Sequence, residues 1–451
     1  MDMNIIRRRK LVGWIVRHRW VFPALIISLI LHLSFLAANP GKVFNMPGKY
    51  GADISTFGSR DAALYAKMAD QMLTKHIYGY NDDEPNARIT PGQPVYLAAS
   101  FMLADVAHVS RLKTVQVFNL MMSVGTVFIV FYLSIMLGGT NSVALLASLL
   151  YATYFSPLHF FRTTLTETPA IFLAYLSLYL YIKTINVKNL RPHFLFSICF
   201  CVAVLFRPTP APLIVLAAMP VLFRHSGRDC LRIFTMWALG AALIFGPWFL
   251  RNYLVFHELM FTSHGGNPLL AGANPFFADQ YPTMLREARE SGLGQGGFAF
   301  ARILAGFNEH PDLWLAWFTA GKAYWLFRVP AAWLGYLPNF ASFNFFVYGA
   351  QYFILIFSAI FSVMYGVGAR KYLKVTILGY VVLSLFFLPN SRYGFFAIPG
   401  MIVMAALGTN QALLYCKGIF TIVKIRTMEV ISPRKKSGIA KDSVVADLAG
   451  D

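Results

Sequence analysis

An acidic residue near the start of the chain stands where it could take part in chemistry. Asp61 begins the segment 61–73, whose apolar residues have helical spacing and which is predicted to be an amphipathic helix. Tyr65 follows one turn later, so its side chain shares a face of this helix with Asp61. A carboxylate at a membrane surface could take a proton from a hydroxyl group while an apolar leaving group stays in lipid. The structural alternative is an N-cap or first-turn Asp that complements the helix dipole.

Two arginines could hold an anion near the membrane. Arg88 lies shortly before Pro91 and Gly92, and an arginine at headgroup depth can clamp a phosphate with two parallel hydrogen bonds. Lipid contact by the extended side chain is the alternative for Arg88. Arg207 interrupts an apolar stretch directly before Pro208, and a charge at that depth usually faces a partner or a polar cavity.

Two further pairs of polar residues stand at the ends of apolar segments. Arg251 and Asn252 follow one such segment, and Arg392 and Tyr393 precede another. Each arginine would lie at headgroup depth and could contribute to the same anion site.

A second acidic residue, Glu167, begins another apolar segment after Thr166. An N-cap threonine with a glutamate in the first turn explains the pair structurally. The functional alternative is a second carboxylate that converges on Asp61.

Composition shows what kind of elements must position these residues. The chain has 451 residues, of which 57% are apolar and only 13% are charged. A soluble domain carries roughly a quarter charged residues, so the composition excludes a soluble globular protein. The net charge of +19 does not indicate nucleic-acid binding, because the Lys and Arg residues cluster beside apolar runs, where they report membrane orientation.

Hydropathy predicts an all-α polytopic membrane protein with about ten transmembrane helices. The predicted spans are 21–38, 114–137, 141–159, 168–185, 192–206, 209–223, 232–250, 346–366, 372–389 and 394–416. Basic residues beside the first and last spans place both termini in the cytoplasm. The short apolar run 94–106 is assigned to an interfacial or re-entrant helix, because a crossing there would turn the basic connections outward.

This topology gives one transmembrane domain over residues 1–416 and a basic cytoplasmic tail over 417–451. Two long extracytoplasmic loops, 39–113 and 251–345, carry interfacial helices. All four arginines and both carboxylates then lie on the same side of the membrane. That arrangement suits a lipid-linked phosphate whose sugar is transferred. The sequence has no metal-binding or nucleotide-binding motif.

The ordered motifs resemble the GT-C superfamily of integral-membrane glycosyltransferases, and in particular the bacterial branch of the dolichyl-phosphate-mannose protein mannosyltransferase and aminoarabinose transferase family (glycosyltransferase family 39-like). The likeness covers roughly residues 20–416. Its residues occur in this order: Asp61-x-x-x-Tyr65-x-x-x-Ala69, Arg88-x-x-Pro91-Gly92-x-Pro94, Thr166-Glu167, Arg207-Pro208, Pro247-Trp248-x-x-Arg251-Asn252, Gly265-Gly266-Asn267, Gly272-x-Asn274-Pro275 and Arg392-Tyr393.

The resemblance implies the GT-C fold and an inverting transfer from a polyprenyl-phosphate sugar to a hydroxyl acceptor on the outer face of the cytoplasmic membrane. It implies that Asp61 is the general base and that the phosphate is held by Arg88 and Arg251, with Arg392 and Arg207 as further candidates. Tyr65, Asn252 and Tyr393 would line the substrate pocket. Many members have two adjacent acidic residues in the first loop, whereas Asp61 lies between Arg60 and Ala62. Participation of a divalent metal, or of Asp53 or Glu167 as a second carboxylate, therefore stays open.

Two other classes of protein remain as alternatives. One is a lipid-linked sugar flippase or transporter, although the internal symmetry and paired broken helices typical of transporters are not visible in the sequence. The other is an enzyme that resembles O-antigen ligases and would not require a first-loop aspartate. The sequence does not identify the sugar, the acceptor (glycolipid, polysaccharide or protein), the length of the lipid chain or the oligomeric state.

Overall fold

The fold is all-α in a computed structural model that describes residues 19–39, 59–81, 83–186, 189–263, 267–328, 341–364 and 370–431. The first half contains α1 Phe22–Ala38, α2 Arg60–Thr74, α3 Gly92–Val106, α4 Arg111–Met136, α5 Asn141–Ala152, α6 Phe155–Phe160, α7 Glu167–Thr184, α8 Leu190–Phe206, α9 Leu213–Arg224 and α10 Gly227–Phe256. The second half contains α11 Asn267–Gly272, α12 Tyr281–Glu290, α13 Gly294–Glu309, α14 Pro311–Ala316, α15 Lys322–Phe327, α16 Ala341–Met364, α17 Arg370–Phe386, α18 Ser391–Phe395 and α19 Ile398–Ile431.

Every predicted span coincides with a helix over most of its length, although 141–159 is divided into α5 and α6. Among the residues that the structure describes, five helices are long and apolar enough to cross a bilayer: Arg19–Ala38, Arg111–Met136, Gly227–Phe256, Phe345–Ser362 and Ile398–Cys416. Three shorter apolar helices are α5, α8 and α9. The chain is therefore a polytopic membrane protein, while the count of ten crossings and the orientation stay predictions.

The helices begin at residues suited to that position. Ser59, Ser110, Thr140 and Ser226 are N-cap residues, and each accepts a hydrogen bond from a first-turn backbone N–H. The predicted amphipathic helix after Asp61 is α2, and the predicted interfacial helix 94–106 is α3. Their side chains pack together and against α4.

The main core lies among α4, α7, α8, α10 and their neighbours within the compact unit Met1–Leu407. The second unit, Gly408–Asp451, contains the remainder of α19 in its described part.

Within the predicted outer loop 251–345, the helices α11 to α15 form a module. The module has a small core of its own: Leu270, Ala273, Met284, Ala288, Ala299 and Trp314. One hydrogen bond, from Lys322 Nζ to Leu385 O (2.7 Å), attaches it to the last turn of α17. Another, from Leu388 N to Pro268 O (2.9 Å), attaches it to the turn that follows.

Two glycines allow this module to approach the backbone of the turn and of α18. A Cβ atom on Gly272 would lie 2.6 Å from the Phe387 backbone, and one on Gly394 would clash with the Leu326 carbonyl. The module therefore meets residues 385–394 through backbone contacts.

Candidate active site

The helix α2 positions Asp61 at the edge of a cavity. Ser59 caps the helix, so that Asp61 falls in its first turn, and the opposite side of α2 is buried. Further along α2, Asp70 is bound by Arg111 (2.8 Å), which also binds Asp105 at the end of α3. The ion pairs fix α2 against the helices beneath it.

A buried turn, residues 161–166, leads into Glu167. Asn119 of α4 donates hydrogen bonds to the carbonyl oxygens of Phe161 (3.1 Å) and Thr163 (2.9 Å). Gln93 of α3 donates to the carbonyl oxygen of Thr164 (2.6 Å). Buried carbonyl groups require hydrogen-bond partners, and these side-chain amides supply them. The turn can therefore be buried.

The same turn is tied directly to α2. The Thr164 hydroxyl donates to the carbonyl oxygen of Ala62 at 2.7 Å, one residue beyond Asp61. This hydrogen bond holds the backbone next to Asp61 against the turn that leads into Glu167.

One guanidinium group links the two carboxylates. Arg392 donates through Nε to Glu167 Oε1 (2.5 Å) and through a terminal nitrogen to Asp61 Oδ2 (3.0 Å). Arg207 also donates to Glu167 Oε1, at 3.2 Å. Asp61 is 42% exposed at its side chain, whereas Glu167 is fully buried beneath the arginines. Glu167 thus orients two arginines, and Asp61 faces the solvent-accessible space.

Two tyrosines surround Asp61. The Tyr80 hydroxyl donates to Asp61 Oδ1 at 3.1 Å. Burial, together with the nearby charge of Asp61, raises the pKa of Tyr80 and of Tyr65 well above the ordinary tyrosine value. Both phenols therefore stay protonated at neutral pH, and Tyr80 remains a hydrogen-bond donor.

Although burial opposes its charge, Arg392 has a raised pKa because Glu167 and Asp61 stabilise the guanidinium. The pKa of Arg207 is raised in the same way, mainly by Glu167 against the effect of burial. The Nε of Arg207 is buried and has no hydrogen-bond partner among the described residues.

The cavity has a volume of about 390 Å³, which is in the range of small-molecule sites. It is lined by Asp61, Tyr65, Arg88, Ile89, Thr90, Thr166, Phe206, Arg207, Pro208, Thr209, Pro212, Thr262, Pro268, Ser384, Phe387, Asn390, Arg392 and Tyr393. Three arginines, Arg88, Arg207 and Arg392, line the cavity. The carboxylates nearby are that of Asp61 in the wall and that of Glu167 behind it. The excess positive charge favours an anionic ligand.

The structure brings together most of the residues predicted from sequence. Asp61, Tyr65, Arg88, Arg207, Arg392 and Tyr393 all line the cavity. Glu167 lies behind the wall, and Thr166 lines the cavity without making the side-chain cap expected of it. Asp53 lies outside the described residues.

Two predicted site residues are placed elsewhere. Arg251 donates to the carbonyl oxygens of Asn86 (3.1 Å) and Tyr78 (3.3 Å), and it is not among the residues that line the cavity. Asn252 is buried and donates to the carbonyl of Met260 (2.8 Å). The helix α10 continues to Phe256, so both residues lie in its last turns. Their side chains donate to backbone carbonyl groups of neighbouring segments.

Sequence reasoning missed Tyr80, Gln93 and Asn119. Tyr80 could have been noticed, because it lies between Asp61 and Arg88 in the same loop. Polar amides within predicted apolar helices are a further signal, since such groups need partners inside a membrane protein.

The carboxylates do not converge as metal ligands. Arg392 occupies the position between Asp61 and Glu167. Among the described residues, no three His, Cys, Asp or Glu side chains form a group that could hold a metal ion. We therefore derive no step through a metal.

Comparison with known proteins identifies the fold. No protein-family profile matches the sequence, and no curated protein matches it. The chain is similar to the crystal structure of the oligosaccharyltransferase of Archaeoglobus fulgidus in the apo form, with a TM-score of 0.51 and 15% identity, over 93% of this chain and 53% of that chain. The oligosaccharyltransferase AglB from the same organism, in complex with an inhibitory peptide and a dolichol-phosphate, gives a TM-score of 0.49 with 12% identity, over 94% of this chain and 53% of that chain.

The chain spans about half the length of these two structures. At such low identity the likeness concerns the fold and not the activity. The protein is an all-α, polytopic membrane protein with the fold of the GT-C oligosaccharyltransferases.

Proposed function

We propose that the protein is an inverting glycosyltransferase that moves a sugar from a polyprenyl-phosphate donor to a hydroxyl acceptor. The observation that carries the proposal is the cavity that Asp61, Arg88 and Arg207 line together. A carboxylate and positively charged groups around one space suit deprotonation of a nucleophile and departure of a phosphate. The GT-C fold supports this assignment.

In the proposed reaction, the acceptor oxygen attacks the anomeric carbon and its proton passes to Asp61. The bond between the anomeric carbon and the phosphate oxygen breaks, and the electron pair leaves with polyprenyl phosphate. Tyr80 and Arg392 each donate to one oxygen of Asp61, which orients the carboxylate while lone pairs remain for the acceptor.

The leaving phosphate would be stabilised by Arg88 and Arg207. Both arginines line the cavity. We assign Arg392 to positioning Asp61, because its guanidinium already binds two carboxylates. Arg251 would act indirectly by holding the loop that carries Arg88.

A polyprenyl donor requires an active site at the membrane surface. We place this site on the outer face of the cytoplasmic membrane, with both termini in the cytoplasm, because the distribution of basic residues favours that orientation. The bilayer and the donor lipid would then be the protein's partners. The acceptor would be a glycolipid, polysaccharide or protein hydroxyl, and the finer family assignment rests on the sequence motifs.

Sugar transfer in membrane vesicles tests the proposal. Vesicles containing the native chain or Asp61→Asn at matched expression are supplied with a panel of polyprenyl-phosphate sugars. Asp312→Asn is the matched control, because Asp312 is exposed and does not line the cavity. We expect transfer with the native chain and the control, and loss of transfer with retained donor binding in Asp61→Asn.

Other outcomes would separate the alternatives. Undiminished transfer by Asp61→Asn would contradict the base assignment and favour a ligase-like enzyme. Movement of labelled lipid across the bilayer without any transfer would favour a flippase or transporter.

A further inference from the structure

The outer module α11 to α15 has two chemically different surfaces. The helix α12 buries Met284 and Ala288 in the core of the module and exposes Arg286, Arg289 and Glu290. This side of the module is charged and suited to water.

The other surface is apolar across its centre. On α13, Phe300 and Leu304 are exposed one turn apart, beside exposed Ala301 and Ala305. Contiguous exposed apolar side chains of this kind usually mark an interaction surface.

The continuous helical segment 311–327, which comprises α14, a π-helical turn and α15, extends this surface. It exposes Leu313, Leu315 and Tyr324, together with Ala316 and Ala320. Its lysine, Lys322, is buried beneath the surface with its ammonium over the ring of Phe318. We call this surface, formed by the exposed residues of α13 and 311–327, the apolar face.

The helix α17, which covers most of the predicted span 372–389, has an exposed apolar side. It exposes Val375, Leu378, Val382 and Phe386, which repeat at helical spacing. The ring of Phe386, at the end of this row, lies 6.2 Å from the ring of Phe318 in segment 311–327. The exposed apolar side of α17 therefore ends next to the segment that carries part of the apolar face.

Aromatic and basic side chains lie at the end of segment 311–327. Tyr324 is exposed, and the Arg328 guanidinium lies 3.5 Å from the ring centre of Trp325. Tyrosine, tryptophan and extended arginine side chains are typical of the level at which lipid headgroups meet the hydrocarbon.

We propose that the apolar face is seated in the bilayer surface at the leaflet where α17 ends. The occupant is lipid, because the face has no charge across its centre and adjoins the exposed apolar side of α17, a predicted membrane span. Its exposed charges, Glu309 and Asp312, lie at the corner between α13 and α14, where they can reach water. The module is thereby an interfacial attachment in addition to the membrane-spanning helices.

This proposal is independent of the proposed glycosyltransferase activity. It concerns where the outer module lies and would hold equally for a transporter.

Spin labels at single cysteines test it in the full chain. The labels are placed on the apolar face at positions 300, 304 and 315, and on the charged side of α12 at 286, 289 and 290. Exposed Cys416 and partly exposed Cys199 are first replaced by alanine, whereas Cys201 and Cys230 are buried. The protein is reconstituted in phosphatidylcholine nanodiscs, and collision of each label with oxygen and with a water-soluble nickel chelate is measured.

We expect the ratio of oxygen to nickel collision to be severalfold higher at all three positions of the apolar face than on α12, because oxygen partitions into lipid. Equal nickel access on both sides would show that water covers the face and would overturn the proposal. Protection from both reagents would overturn it in favour of a protein partner or a second copy. All six labels replace surface side chains, and only variants that elute like the native chain are compared, so a single misfolded variant leaves the test intact.

Discussion

At the scale of single residues, Arg392 determines how the two carboxylates relate to each other. Its Nε and a terminal nitrogen bind Glu167 and Asp61 at the same time, which a planar guanidinium can do. A lysine has one ammonium group and cannot reproduce this forked geometry. The position of the proposed base therefore depends on an arginine more than 300 residues away in sequence.

Replacement of Arg392 by lysine should lower the rate of sugar transfer by roughly 10²-fold, the loss that a misplacement of about 1 Å can cause, because Arg392 positions Asp61. The charge is retained, so the loss would report geometry. Single-turnover transfer measures the effect, with Arg289→Lys on the exposed side of α12 as control. Nearly native transfer by Arg392→Lys would contradict the role of the fork.

The arginines 88 and 251 should differ in what they affect. Arg88 lines the cavity, whereas Arg251 binds the carbonyl groups of Tyr78 and Asn86. We expect Arg88→Gln to weaken binding of polyprenyl phosphate without lowering the unfolding temperature, and Arg251→Gln to lower the unfolding temperature. Binding and thermal unfolding of both variants in the same detergent provide the comparison; the reverse pattern would restore Arg251 as a phosphate ligand.

At the scale of elements, the buried 161–166 turn connects the helices that carry the site. Its carbonyl groups are held by side chains of α3 and α4, and its threonine holds α2. These contacts lie inside the helix bundle. We therefore expect a substitution that removes one of them to displace Asp61 and Glu167, although it contacts neither residue.

Asn119→Leu should impair both stability and catalysis. It leaves the carbonyl groups of Phe161 and Thr163 without their donor, and an unsatisfied buried group costs roughly 1–3 kcal/mol. We expect a lower unfolding temperature and a fall in kcat that exceeds any change in KM, because the cavity surface itself is unchanged. The control is Met121→Leu on the exposed side of the same helix; a change in KM alone would argue against a positioning role.

The helices could be predicted from the sequence because each span is a local run of apolar residues. The run 94–106 and the amphipathic segment after Asp61 were likewise predicted and are α3 and α2. The hydrogen bonds of the 161–166 turn could not be predicted, since they join residues that are distant in sequence. The partners of Arg251 could not be predicted for a related reason: a motif gives the order of residues and not the direction of a side chain within a helical turn.

At the scale of the whole molecule, a buried amine lies where the module α11 to α15 meets α17. Lys322 donates to Leu385 O, and no residue surface is exposed. Burial lowers the pKa of Lys322 from 10.5 to about 7. The ammonium is thus less stable in the folded chain than in the unfolded chain.

The lowered pKa of Lys322 makes the free energy of unfolding depend on pH. Between about pH 7 and the unfolded value of 10.5, the unfolded chain binds more protons at this site, so the contribution of Lys322 to the free energy of unfolding rises with pH. Below about pH 7 both states are protonated and this contribution no longer changes. Lys322→Met should remove the rise, as measured by thermal unfolding of the reconstituted protein across this range. Lys371→Met, at an exposed lysine, should retain it, and a rise that persists in Lys322→Met would refute the assignment.

The glycine contacts between the module and residues 385–394 also limit how chimeras of this protein can be built. Exchange of the module with that of a related chain has to preserve these contacts. A donor module with a larger residue at position 272 would push against the Phe387 backbone, and one with a shifted backbone at position 326 would collide with Gly394 of α18. Arg392 lies on α18, so such a graft would displace Arg392 from Asp61 and Glu167. Successful chimeras should therefore carry both sides of the contact together.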